Sequence, residues 1–248
     1  MLLHKQKSSS CNNFPFPHSP FHWGVSCHRR IDGGRAFGYS PLVSSSNTGS
    51  DPARFQQALQ RFDTENARDP HLESSDGKLW PRELLYAGRL SQWVLKLDPN
   101  ASEVLRLAAR SQHICRWMIP RSDYPMTKAG YLKWRNELKK FHADKAGAIL
   151  RDVGYGEDVI EAVQALNLKK NFPHDSETRV LEDALCLVFL EYQFADLAKK
   201  TADEPMINAL RKSWNKMTPG AREIALTLEF SENEKRLLKI ALGGSDTE

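Results

Sequence analysis

Residues 179–190 read RVLEDALCLVFL. Wound into a helix, this stretch is apolar nearly all round, the signature of a helix buried on most of its faces. A chain that wraps other segments around such a helix folds as a single helical domain. Two acids, Glu182 and Asp183, sit inside the apolar run. An ionised carboxylate is rarely left in such surroundings without a cation, a metal or strong hydrogen bonds. Asp183 therefore reads in two ways, as a metal ligand or general base, or as half of a structural salt bridge. Glu182 reads as a solvated or capping acid.

Outward from this run, helical periodicity dominates residues 51–248, and no alternating strand is expected. Pro81 suits the first turn of a helix running to about Leu97. Asn100 with Glu103 resembles a capping box for a helix to about Met118. Thr127 opens a long helix ending near Gly154, and Ser176 caps one reaching about Lys200. Thr218-Pro219 and Ser231 with Glu234 mark two more. Shorter helices are expected near 52–66, 157–168 and 204–217. Two prolines keep the loop IPRSDYPM (119–126) from being helical throughout. The expected fold is all-α, one multi-helix domain.

The first fifty residues differ. They carry Lys5, Lys7, Arg29, Arg30 and Arg35 against the single acid Asp32, and serines recur. A basic, serine-rich, acid-poor start reads as an organellar transit peptide. The lack of an amphipathic helix favours a chloroplast over a mitochondrion; a disordered tail with no address is the other reading. The whole chain is formally +4, and this leader alone carries five Lys/Arg and one acid, also +4. Residues 51–248 are therefore neutral, which gives no support to broad nucleic-acid binding. Cys115 and Cys186 remain after the leader, too far apart in sequence for a zinc ribbon and suited to a reducing stroma. No run of about twenty apolar residues predicts a membrane helix.

Charge is uneven within the neutral domain. Residues 110–145 hold nine Lys/Arg and three acids, together with Trp117, Tyr124, Tyr131, Trp134, His113 and His142. A local excess of +6 marks an anion site, and phosphate suits arginine's bidentate donors. Arg116 and Arg121 flank the proline-stiffened loop and are the first candidates, with Arg110, Trp117 and Tyr124 beside them. Lys133, Lys139 and Lys140 read as a solvated helix face. His113 and His142 read either as satisfied core residues or as ligands. Asp63, Asn66 and Asp69 in FDTENARDP (62–70) read as caps of a helix end.

Several of these runs together resemble a known family. FDTENARDP (62–70), ELLYAGRLSQWV (83–94), LRLAARSQHICRWMIPRSDYP (105–125), GYLKWRNELKKFHADKAG (130–147) and LEDALCLVFLE (181–191) look like the uncharacterised family named domain of unknown function 4202. The resemblance covers residues 52 to about 242, and HICRWMIPRSDYP is its most specific motif. It supplies no activity; plant members would be expected to carry a leader. The helix order is also distantly similar to the HD-domain phosphohydrolases, in which histidines and aspartates hold a divalent metal. On that resemblance the first-helix His falls on Tyr86, the His-Asp pair on Gln112 and His113, a further His on His142 and the last Asp on Asp183. The pair has become Gln-His and the first His a Tyr, so the implied ligand set is a remodelled His113, His142 and Asp183. Imidazole and carboxylate suit zinc, manganese or iron.

Two functions are expected. One is a metal-assisted hydrolase of a nucleotide or other phosphorylated small molecule. Asp183 and His113 would be catalytic around the metal, and Arg116 and Arg121 would hold the phosphate. The other is a non-catalytic phosphate, nucleotide or RNA binder on the same basic loop, with RNA the less favoured partner.

Overall fold

The computed structural model describes residues 51–243. The expected leader, residues 1–50, lies outside the described residues.

Ten α-helices and one short hairpin make up this part of the chain. Asp51 caps α1 (Pro52–Asn66) by accepting from the Ala53 and Arg54 N–H groups, with Pro52 in the first turn. A hairpin follows, β1 (Leu72–Ser75) paired antiparallel with β2 (Lys78–Pro81). It corrects the expectation of no strand. Its turn is Asp76-Gly77, with φ of +52° and +72°. A two-residue turn of that geometry matches the twist of a hairpin, and Asp-Gly is its usual sequence.

α2 (Arg82–Leu97) then begins directly after Pro81, as the proline predicts. α3 (Glu103–Ser111) is capped by Ser102, not Asn100, and ends well before Met118. The Cys115 N–H donates to the side-chain carbonyl of the buried Asn66 (3.0 Å), and Cys115 adopts a left-handed φ of +53°. A tertiary hydrogen bond has replaced a helical one, which ends the helix early. Short 3₁₀ turns at Arg116–Met118 and Arg121–Asp123 carry the chain to α4 (Lys128–Asp152). Thr127 caps α4 through the Gly130 N–H (3.1 Å). A Cβ at Gly130 would lie 2.2 Å from the Pro125 carbonyl oxygen, so the loop closes onto α4 only because this residue is glycine.

α5 (Glu157–Leu168) packs along α4, close to Gly147, whose added Cβ would press on the Gln164 amide at 2.4 Å and lie 3.2 Å from Ile160. α6 (Ser176–Val188) is capped by Asp175 and runs into a π-helical turn, Phe189–Gln193, before α7 (Phe194–Lys200). Every residue from Leu181 to Leu190 is buried. α6 is thus the central rod, in contact with α2, α3, α5, α8 (Asp203–Lys216) and α9 (Pro219–Ala225). α10 (Glu232–Ala241), with its Ser231/Glu234 capping box, packs on α8. One continuous apolar core joins these helices, running from Phe55 and Phe62 through Leu90, Leu105, Leu150 and Ile160 to Phe189 and Leu237. Among the described residues no helix is long and apolar enough to cross a membrane.

Candidate anion site

The broken end of α3 and the face of α4 beside it form a small cleft of about 30 Å³. Gln112, His113 and Arg116 reach it from the connector after α3. Arg135, Leu138, Lys139 and His142 reach it from α4, and Lys169 from the end of α5. On α4 the spacing 135, 138/139, 142 places those side chains on one face. Tyr86 on α2, Leu185 on α6 and Gln193 in the π-helical turn complete the lining. Such π-turns occur frequently at functional sites. Here the turn is pinned by the Trp93 indole N–H, which donates to Glu191 (2.6 Å).

Four lining residues are cationic, Arg116, Arg135, Lys139 and Lys169, and no carboxylate is among them. Two acids stand just behind. Glu182, 2 % exposed, is ion-paired with the side chain of Lys169, itself buried. Its expected role as a solvated or capping acid is thereby corrected. Glu83 lies 3.6 Å from Nδ1 of His113 and 3.8 Å from Nε of Arg116. Burial raises its carboxyl to about 7 despite the Arg116 charge. The cations show the complementary effect. Burial first, then Lys169 and Arg135, pull Lys139 down to about 8, and burial together with Arg116 lowers Arg135. Burial likewise brings Lys216, which senses the Glu182 charge, to about 8. A desolvated, like-charged cluster of this kind is stabilised by an anion.

The histidines lie side by side, ring centroids 5.8 Å apart. His113 stacks on the Tyr86 ring at 4.2 Å. His142 donates from Nδ1 to the Ile114 carbonyl (2.8 Å), which leaves Nε2 as the bare lone pair, and Nε2 has no partner. Burial, reinforced by Arg116, lowers His142 to about 3 and holds His113 well below its usual range. Both rings are neutral at physiological pH.

Helix α1 braces this arrangement. Asp63 holds Arg110 through two short hydrogen bonds, 2.6 and 2.7 Å. Asn66 fixes Cys115, and Asp69 accepts from the Glu83 N–H (3.1 Å) at the start of α2. Trp134 donates to the Ile119 carbonyl (2.9 Å) and lies under the Arg116 guanidinium at 5.0 Å.

Of the residues singled out in the sequence, His113, His142 and Arg116 meet in the cleft, and Tyr86 and Gln112 join them. Others do not. Asp183 is directed to Thr218: Oδ1 accepts its N–H (2.9 Å) and Oδ2 its hydroxyl (2.5 Å). Arg121 donates to the carbonyls of Tyr124 and Pro125, both at 2.8 Å, and so closes its own loop. Tyr124 is bonded to Glu137 on the surface, Arg110 is held by Asp63, and Trp117 packs on the core. The sequence reading missed Arg135 and Lys169 as lining residues and placed Lys139 on a solvated face. For Arg135 and Lys139 the signal was present in their shared face with His142. Lys169 gave none, because its place depends on how α5 ends against α6.

The implied metal set therefore does not assemble. Both Asp183 oxygens are engaged by Thr218, and among the described residues no three His, Cys, Asp or Glu side chains are grouped to hold a metal ion.

A mostly helical domain with a small cationic cleft is the class of protein that fold and site define. A family model, domain of unknown function (DUF4202), matches residues 56–238, and the chain belongs to that family. No curated protein and no solved structure matches it.

Proposed function

We propose that the cleft binds the phosphate group of a small phosphorylated molecule without a metal ion. The observation that carries this reading is the convergence of Arg116, Arg135, Lys139 and Lys169 on a cleft lined by no carboxylate. Guanidinium and ammonium groups in a desolvated setting favour an oxyanion, and two arginines provide its directional donors. The cleft is small and open to solvent, so it can take a phosphate group and the atoms next to it rather than a large ligand. RNA is disfavoured, because a polynucleotide needs cations arrayed along a surface rather than sunk into one cleft. Metal-assisted hydrolysis loses its support with the displacement of Asp183. The meeting of Tyr86, Gln112, His113 and His142 supports remote kinship with the HD-domain fold, as a scaffold whose metal set has been replaced. Import into the plastid stroma remains our reading of residues 1–50; a fluorescent protein fused to that segment and left in the cytosol would refute it.

Calorimetric titration with inorganic phosphate and pyrophosphate tests the binding reading. The expected result is saturable binding, weakened on the order of tenfold in Lys139→Gln, the loss of one charge-assisted contact. Lys139 is only partly buried and Gln keeps most of its stem, so the variant should keep the fold. No binding at concentrations of about 10 mM, where only about 3 kcal/mol of affinity is needed, would sink the reading.

A further inference from the structure

We infer that the ligand is a phosphate ester of a small polyhydroxylated molecule, one of whose hydroxyls donates to Nε2 of His142. The inference rests on the phosphate-binding reading above and narrows it.

The cations of the cleft can only donate hydrogen bonds, so they match the acceptor oxygens of a phosphate. His142 is different. It is 3 % exposed, and its Nδ1–H is committed to the Ile114 carbonyl at 2.8 Å. Nε2 is therefore an acceptor, buried and without a partner in the protein. The dianion of a phosphate monoester has only acceptors to offer and cannot satisfy it. Protonating the ring would, but burial and the Arg116 charge oppose that strongly. The missing partner is a donor carried by the ligand.

Ammonium, amide N–H and hydroxyl groups are the common donors, and of these only a hydroxyl oxygen can also accept from the neighbouring cations while it donates. An ammonium would enter beside Arg116, Arg135, Lys139 and Lys169, so like-charge repulsion excludes it. A hydroxyl carries no such cost. The side-chain oxygen of Gln112, 5 % exposed and also unpartnered, offers a second acceptor for a neighbouring hydroxyl. A nucleobase finds no platform: besides the imidazoles, Tyr86 is the aromatic ring of the lining, and His113 stacks on it. Vicinal hydroxyls next to a phosphate describe a polyol or sugar phosphate.

The test is calorimetry on the full chain at neutral pH with four probes: inorganic phosphate, ethyl phosphate, glycerol 3-phosphate and ribose 5-phosphate. The polyol esters should bind tighter than ethyl phosphate by on the order of tenfold, one buried hydrogen bond. In His142→Phe that gap should close, because the acceptor for the hydroxyl is gone. Equal affinity for ethyl and polyol esters in the wild type overturns the inference and leaves phosphate binding standing. Failure of all four probes overturns both. Should His142→Phe not fold, ¹⁵N spectra of the wild-type histidines decide. Nε2 of His142 should stay unprotonated and shift on adding glycerol 3-phosphate. An imidazolium signal, or no change with saturating ligand, overturns the inference.

Discussion

Asp183 and Thr218 form a closed pair: one carboxylate oxygen accepts the threonine N–H and the other its hydroxyl, while the same hydroxyl accepts from the Ala221 N–H at 3.3 Å. Thr218 is the cap of α9, so Asp183 anchors that cap to the central helix. Asp183→Ala should therefore destabilise the fold by about 1–3 kcal/mol, the range for an orphaned buried donor. Chemical denaturation measures this. The metal content of the purified protein should not change between variant and wild type. Stoichiometric metal lost on substitution would contradict the geometry.

Glu83 sets a pH dependence whose sign can be worked out. Its folded carboxyl titrates near 7 against an ordinary 4.5, so the folded state binds more protons between those values. Stability from this group is present below about pH 4.5 and is lost as pH rises through 7. His142 acts in the opposite sense, since its folded value near 3 is lowered from 6.5. The two oppose each other in wild type between about pH 4.5 and 6.5. Glu83→Gln removes one of them. Relative to wild type, the variant should gain on the order of 1–3 kcal/mol as pH is raised from 5 to 8, measured by urea denaturation at each pH. A pH-independent difference would mean that the Glu83 carboxyl is not perturbed.

Anion binding should be coupled to protons. Lys139 and Lys216 titrate near 8, held down by burial and, for both, by neighbouring Lys169 and Arg135. A bound oxyanion favours their charged forms. Sulfate keeps a constant charge across this range and isolates the protein's own titration. Its affinity should fall as pH rises through 8, and binding at pH 8 should take up a fraction of a proton. Calorimetry in buffers of different ionisation enthalpy reads that uptake. Lys139→Gln should remove most of it, since Lys139 lines the cleft and Lys216 does not.

The helical architecture was legible because its signals are local. Thr127, Thr218 and the Ser231/Glu234 box all sit at the boundaries that their capping chemistry predicts, and Pro81 stands one residue before its helix. The hairpin escaped because its exposed Leu72, Leu79 and Trp80 give no clean inward face, although Asp76-Gly77 announced the turn. The early end of α3 was hidden for another reason. Leu105 to Met118 keeps a helical pattern, and the competing bond from Asn66 to Cys115 comes from a residue 49 positions away. Site residues divide along the same line. His113 stood out among apolar neighbours beside the arginines, and His142 as a second histidine on the next helix. Asp183 stood out equally, yet whether a buried acid faces a cleft or a helix cap depends on its tertiary neighbour.

Lys169 and Glu182 provide the sharpest test of how the cleft is held together. Both side chains are buried, 5 % and 3 % exposed, and they are ion-paired at the junction of α5 and α6. Burial lowers the Lys169 ammonium, while Glu182 counteracts the shift. Lys169→Met leaves Glu182 without this counter-ion and should cost about 3–5 kcal/mol. Replacing both, Lys169→Met with Glu182→Leu, removes the stranded charge as well and should recover most of that loss. Denaturation of the two single variants and the double variant closes the cycle, with a coupling of at least about 2 kcal/mol expected for residues in contact. Phosphate separates structure from binding in the same set. The double variant should fold yet bind phosphate more weakly, because the cleft has lost one of its four lining cations. Wild-type affinity in the folded double variant would assign Lys169 to the scaffold alone and leave the anion to Arg116, Arg135 and Lys139.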